Sequence, residues 1–123
     1  MERGHKWKKP SPELGKLLEA ALLRFTCDRK IMFGAPVFMI NRNMFAGVHE
    51  DHIFIRLSES DRKELLMKVP GANQFEPLKG HIMKEYMVVP KSLYEDRAAF
   101  TPWLKRAHDF AASLPAKARK SRK

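Results

Sequence analysis

The stretch KIMFGAPVFMINRNMFAGVHEDHIFIRL, Lys30–Leu57, decides the fold. Its hydrophobic period is two, broken only at Gly34-Ala35, Asn41-Arg42-Asn43 and Glu50-Asp51. Glycine and asparagine tolerate positive φ, and short polar loops of this length close antiparallel hairpins. Four strands follow from the pattern: Lys30–Phe33, Pro36–Ile40, Met44–His49 and His52–Leu57, arranged as a meander.

On either side of the meander the period changes to that of a helix. Upstream, Ser11-Pro12-Glu13 is a helix start: a hydroxyl to accept an orphan amide, a proline at the first helical position, and an acid at the positive end of the dipole. Leu14, Leu17, Leu18, Ala21, Leu22 and Phe25 recur at steps of three and four, which predicts a helix over 12–26. Downstream, Ser58 caps a helix with the face Leu65, Leu66 and Val69, ended by Pro70-Gly71. Residues 72–80, with Pro77 and Gly80, are expected to form a loop, and Ile82–Val89 a fifth strand stopped by Pro90. A last helix begins near Arg97, or after Thr101-Pro102, and carries the stripe Trp103, Leu104, Ala107, Phe110, Ala111 and Leu114. The class is therefore α+β: helix, four-strand antiparallel meander, helix, fifth strand, C-terminal helix, with helices packed on a curved antiparallel sheet. No βαβ alternation recurs, which argues against a doubly wound nucleotide-binding fold.

The 123 residues suit one domain, 44% hydrophobic and 31% charged. No run approaches the roughly 20 apolar residues of a membrane span, and Met1–Lys9 lacks the apolar core of a secretory signal. A cytoplasmic protein is expected. The net charge of +10 is unevenly placed. Residues 1–9 contribute +3 and residues 115–123 contribute +5, leaving the rest almost neutral. The expected organisation is a basic disordered end over 1–10, one domain over 11–115, and a basic disordered tail over 116–123. Lys117, Arg119, Lys120, Arg122 and Lys123 are the candidate nucleic-acid contacts, of a weak kind that reads charge and not sequence.

Strict alternation places Ile53, Ile55 and Leu57 on one sheet face with Val37, Met39, Met44, Ala46 and Val48. The other face then holds Phe38, Ile40, Phe45 and Phe54, joined by Tyr86 and Val88. Both faces are apolar, whereas a sheet with one wet face should show polar residues there. Three short helices cover one face and part of the second. The leftover is expected to meet a second copy of the chain, with Phe38, Phe45 and Phe54 as the homodimer or partner interface.

Signs of catalysis are sparse. His49 and His52 flank Glu50 and Asp51 in one turn, but a mobile turn lacks the supporting contacts of a metal site, so a solvated turn is expected. Cys27, the single cysteine, has no histidine base beside it in sequence and reads as structural. No G-x-S-x-G elbow, Walker lysine or G-x-G-x-x-G occurs. Lys84, Glu85 and Tyr86 form the one charged cluster within a strand and are a candidate surface patch, with alternation and edge protection as its plain explanation. The seven methionines are expected to fill an irregular core. No catalytic residue, cofactor or metal site is expected, and the chain reads as a non-enzyme.

Several short motifs together resemble one family. Met32-Phe33-Gly34 after a first helix, Met44-Phe45-Ala46, Ile55-Arg56-Leu57, Met83-Lys84-Glu85-Tyr86 followed by Pro90, Trp103, and Ser113-Leu114-Pro115 resemble the N-terminal domain of the TfoX/Sxy proteins, over about Leu14 to Pro115. The resemblance implies an α+β domain with helices against a curved antiparallel sheet, and it carries no catalytic residues. Founding members of the family are bacterial competence regulators that act at promoters with a cyclic-AMP receptor protein and have a second, helical domain. This chain ends nine residues after Leu114, so a stand-alone N-terminal domain is expected. A regulatory, protein-interacting module is the function the resemblance implies, with accessory nucleic-acid binding through the basic ends as the alternative.

Overall fold

The structure, a computed structural model, describes residues 10–32 and 34–115. Of the basic ends expected over 1–10 and 116–123, all but Pro10, and with them the nucleic-acid contacts from Lys117 to Lys123, lie outside the described residues. Helix α1 spans Pro12–Ala21, and the Ser11 hydroxyl accepts from Leu14 N at 3.3 Å, as the cap sequence demands. It stops five residues short of the expected end. A hydrogen-bonded turn continues the spacing instead, with Phe25 N donating to Leu22 O at 2.9 Å, so Phe25 still packs against the core.

The meander follows as β1 (Asp28–Met32), β2 (Ala35–Ile40), β3 (Asn43–His49) and β4 (His52–Arg56). Helix α2, Glu59–Lys68, is capped by Ser58, whose hydroxyl accepts from Asp61 N. It buries Leu65 but leaves Leu66 52% exposed, so the expected apolar face of this helix is narrower than its sequence. Strands β5 (Asn73–Leu78) and β6 (His81–Val89) come next, then a single turn α3 (Lys91–Tyr94) and the long α4 (Arg97–Ser113). The Asp96 carboxylate caps α4, accepting from Ala99 N at 3.2 Å, and Pro102 lies inside the helix without starting it. The expected fifth strand is β6. Strand β5 replaces the expected loop: it is an edge strand, Pro77 falls where the β5–β6 register shifts, and Gly80 takes the φ of +86° that the β5–β6 turn needs.

All six strands form one antiparallel sheet in the order β1-β2-β3-β4-β6-β5, with helices packed on it. Directly paired residues share a face. Phe38, Ala46, Ile55 and Met87 therefore make one row across the sheet, and Val48, Ile53 and Val89 a second, both in the main core. Leu18 of α1, Leu65 of α2, and Phe100 and Leu104 of α4 close that core, all fully buried. Val37, Gly47, Phe54 and Val88 form the row on the opposite face.

This arrangement corrects the expected faces, and one β-bulge is the cause. Uninterrupted pairing would set Phe38 opposite Phe45 and Val37 opposite Ala46. Instead Phe38 pairs with Ala46 and Met39 with Met44, leaving Phe45 as an extra residue on β3. One extra residue exchanges the faces of everything beyond it. Phe38, Ile40 and Phe45 thus turn under the helices, while Val37 and Met44 join Phe54 on the other side. Phe38, Phe45 and Phe54 do not share a face. Phe45, fully buried, meets the His108 ring of α4 edge-on at 5.3 Å.

A second irregularity covers part of the open face. Between β5 and β6 the register jumps from Gln74↔Met87 to Phe75↔Met83, so β6 carries unmatched residues and the hairpin bends. Although β6 separates β4 from β5, the Phe75 ring stacks on Phe54 at 4.5 Å and 10°. Val37, Phe54 and Phe75 are buried as a small second core, with Met44, Met83, Tyr86 and Val88 around them. No helix among the described residues is long and apolar enough to cross a membrane.

Candidate functional site

The bent hairpin leaves a groove between its tip and the open face of β1–β3, a cavity of about 370 Å³. Its floor is the stacked pair Phe54 and Phe75. Met44 and Val37 form the sheet side, and Pro77, Leu78 and Met83 the hairpin side. Met32 of β1 and Leu78 of β5, 41% and 48% exposed, line it from opposite sides of the opening. Gly47 makes the floor possible: a Cβ there would lie 2.6 Å from Phe54 Cζ and 2.8 Å from Val37 Cγ1. The requirement is steric.

Only one end of the groove is polar. Among its lining residues, His49 and Glu50 alone carry polar side chains. The His49 ring meets Phe75 edge-on at 5.3 Å. Glu50 occupies the β3–β4 turn with φ of 54°, and its carbonyl accepts from Ser11 N at 3.1 Å. That bond fixes the chain entering α1 against the turn and brings Pro10 into the groove wall. A greasy, methionine-rich trough with one hydrogen-bonding end can hold a bulky apolar side chain and adapt to its shape.

The residues singled out from sequence fall elsewhere. Lys84 is exposed on β6. Glu85 pairs with Arg56, at 2.8 Å from Nε and 2.6 Å from Nη2. The Tyr86 hydroxyl donates to Met44 O at 3.0 Å, its ring meets Phe54 edge-on at 5.7 Å, and the Arg56 guanidinium lies 5.5 Å from its centre. Burial pushes the Tyr86 phenol up, opposed by Arg56 and assisted by Glu85. Glu85 and Tyr86 thus both meet Arg56, Lys84 stands exposed, and none of the three lines the groove. Glu50, Asp51 and His52 bring their ligating atoms within 4.8 Å of one another on the hairpin turn, where His52 Nδ1 is 3.3 Å from Asp51, while His49 turns into the groove. Cys27 is half-buried, its thiol pushed up by burial and by Asp28.

The hairpin half of the groove was missed in the sequence because residues 72–80 read as a loop. The signal was present: Phe75 and Pro77 alternate with Gln74 and Glu76, ahead of a two-residue Lys79-Gly80 turn.

No match to a curated protein was found. The profile of the TfoX N-terminal domain matches residues 24–111, a span that takes in all six strands, α2, α3 and most of α4. The chain belongs to the TfoX N-terminal domain family.

Proposed function

We propose that this TfoX N-terminal domain is a non-enzymatic regulatory module that recognises one protein partner by taking an aromatic-anchored, basic segment into the groove. The observation that carries it is the groove itself: apolar along its length, lined by three methionines, and acidic at one end through Glu50 with Asp51 beside it. An aromatic side chain brings roughly 150–250 Å² of surface, worth about 4–6 kcal/mol before the costs of ordering and association. That scale supports a transient contact, as regulation requires. Phe75 covers part of the second face on which a homodimer is expected, and the part left open is this groove, which supports reading it as a surface for a protein segment.

The test is a titration of chain labelled at its methionine methyl groups with N-acetyl-Lys-Trp-Lys-amide, followed by NMR. Met32, Met44 and Met83 are expected to shift, while Met67, 85% exposed on α2, stays fixed. Shifts spread evenly over all the methionines, or none at millimolar peptide, would remove the groove from consideration.

A second reading, weak polyanion binding, is favoured by one feature: residues 115–123 hold five cations and no acid. Affinity for duplex DNA is then expected to fall steeply with salt and to vanish when Lys117, Arg119, Lys120, Arg122 and Lys123 are all replaced by alanine. Binding that survives the replacement would exclude the tail.

A further inference from the structure

Pro10 is a wall of the groove, held there by the Ser11–Glu50 hydrogen bond. The nine residues before it lie outside the described residues, and that segment ends at the acidic end of the groove. It closes with Lys6-Trp7-Lys8-Lys9. Trp7 is three residues from Pro10, within about 10 Å along an extended chain.

We infer that Trp7 is the resident occupant of the groove, an intramolecular ligand that any partner segment must displace. The inference rests on the groove being a site for aromatic segments and adds its regulation. Three features of the site match this one occupant. The cavity is at the small end of ligand pockets, the size for one large side chain and little else. An indole is apolar except for a single N–H donor, and the groove is apolar except for His49 and Glu50, both able to accept. Lys8 and Lys9 precede Pro10 directly, so they reach the Glu50–Asp51 turn when the indole enters. Glu13 adds a third acid there, its carboxylate 3.4 Å from the Ser11 hydroxyl.

A tether this short gives an effective concentration on the order of 1 mM. For a segment whose free affinity is on the order of 0.1 mM, the occupied form outweighs the empty one about tenfold, and a competing peptide is weakened by the same factor.

The experiment uses the full chain and a fluorescein-labelled peptide of residues 5–10, His-Lys-Trp-Lys-Lys-Pro, read by fluorescence polarisation. Trp7→Ala is expected to bind the peptide about tenfold more tightly than the unaltered chain. Leu78→Glu, at an exposed position that leaves the fold intact, should abolish binding in the Trp7→Ala background. As an independent measurement, the emission attributable to Trp7, taken as the difference between the unaltered chain and Trp7→Ala, should be blue-shifted and shielded from acrylamide. In the Leu78→Glu chain that difference should move to the red. Equal peptide affinities with and without Trp7, both lost in Leu78→Glu, would overturn the cis occupancy while leaving the groove as a site. Absence of binding to either chain, together with a solvated Trp7 emission, would overturn both.

Discussion

Replacing Gly47 by alanine tests whether the second core is packed as described. The new methyl carbon would stand 2.6 Å from Phe54 Cζ and 2.8 Å from Val37 Cγ1, where carbon atoms settle at about 3.5–4.0 Å. The Phe54 ring would have to retreat by about 1 Å. It has little freedom to do so: Phe75 stacks on one side at 4.5 Å, and Tyr86, tied by its hydroxyl to Met44 O, stands edge-on at 5.7 Å. Overpacking of this kind costs about 1–3 kcal/mol. Lower denatured-state entropy for alanine offsets about 0.4–1 kcal/mol. The net expectation is a loss of about 1–2 kcal/mol, read as a lower urea midpoint at unchanged slope and a Tm decrease of roughly 4 °C per kcal/mol. A double-mutant cycle isolates the cause. Phe54→Leu frees the space above residue 47, so Gly47→Ala should cost at least about 1 kcal/mol less in that background. A neutral or stabilising Gly47→Ala, or strict additivity with Phe54→Leu, would refute the ring-over-glycine account.

Three further outcomes are expected. Asn43 is buried at the start of β3, and its Nδ2 donates to Ala111 O at 3.4 Å and Pro115 O at 3.1 Å. Asn43→Ala should lose about 1–3 kcal/mol in urea unfolding, and Asn43→Asp more, because a carboxylate would then face two carbonyl oxygens. The Glu64 carboxyl is pushed down to about 2, chiefly by hydrogen bonds from Arg106 and Lys68. A group whose folded value is depressed stabilises the fold above its ordinary range near pH 4.3 and stops doing so as pH falls through the folded value. Glu64→Gln should therefore lower Tm at pH 6, with the deficit shrinking below pH 4 and closing near pH 2; calorimetry showing a constant deficit across that range would contradict the assignment. The Cys27 thiol is held up by burial and Asp28, so a thiol reagent at pH 8 should label the native chain more slowly than the urea-unfolded one, and equal rates would disprove its shielding.

The elements that the sequence declared most clearly are those whose signals are local. Ser11-Pro12-Glu13 and Ser58 start helices where their hydroxyls accept the expected amides. The β3–β4 turn at Glu50-Asp51 and the strands flanking it also form as read. Thr101-Pro102 misleads as a start because Asp96 caps the helix five residues earlier, and a proline in the second turn can be carried once the helix is anchored. The errors of larger consequence are in relations between strands. Every residue of β2 alternates as expected, yet its buried side is exchanged, because side-chain period says nothing about an extra residue in the neighbouring strand. Nothing in Met44-Phe45-Ala46 announces a bulge. Its reward appears only in three dimensions, where Phe45 and Ala46 are both fully buried against the helical layer and Phe45 reaches His108.

The groove follows from two departures from regular pairing, and each is needed. The β2–β3 bulge sends Val37 and Met44 to the open face, which gives the sheet an apolar side there. The jump between β5 and β6 bends the hairpin so that Phe75 closes on Phe54 and leaves a trough instead of a flat patch. A regular six-stranded sheet of the same composition would have set Phe38, Phe45 and Phe54 side by side in the open, the arrangement that favours self-association. With the bulge, two of those rings enter the main core and the third becomes the floor of a cavity sized for one side chain. Deleting Phe45 therefore separates the core from the groove. Met44 would then precede Ala46 directly, which keeps Phe38 opposite Ala46 and Met39 opposite Met44, so Val37 and Met44 stay on the open face while the main core loses a fully buried ring. The shortened chain should lose about 3–5 kcal/mol in urea unfolding yet keep the methionine-methyl response to a tryptophan peptide. A folded deletion variant that has lost that response would mean that the groove depends on Phe45 itself and not on the face that Val37 and Met44 occupy.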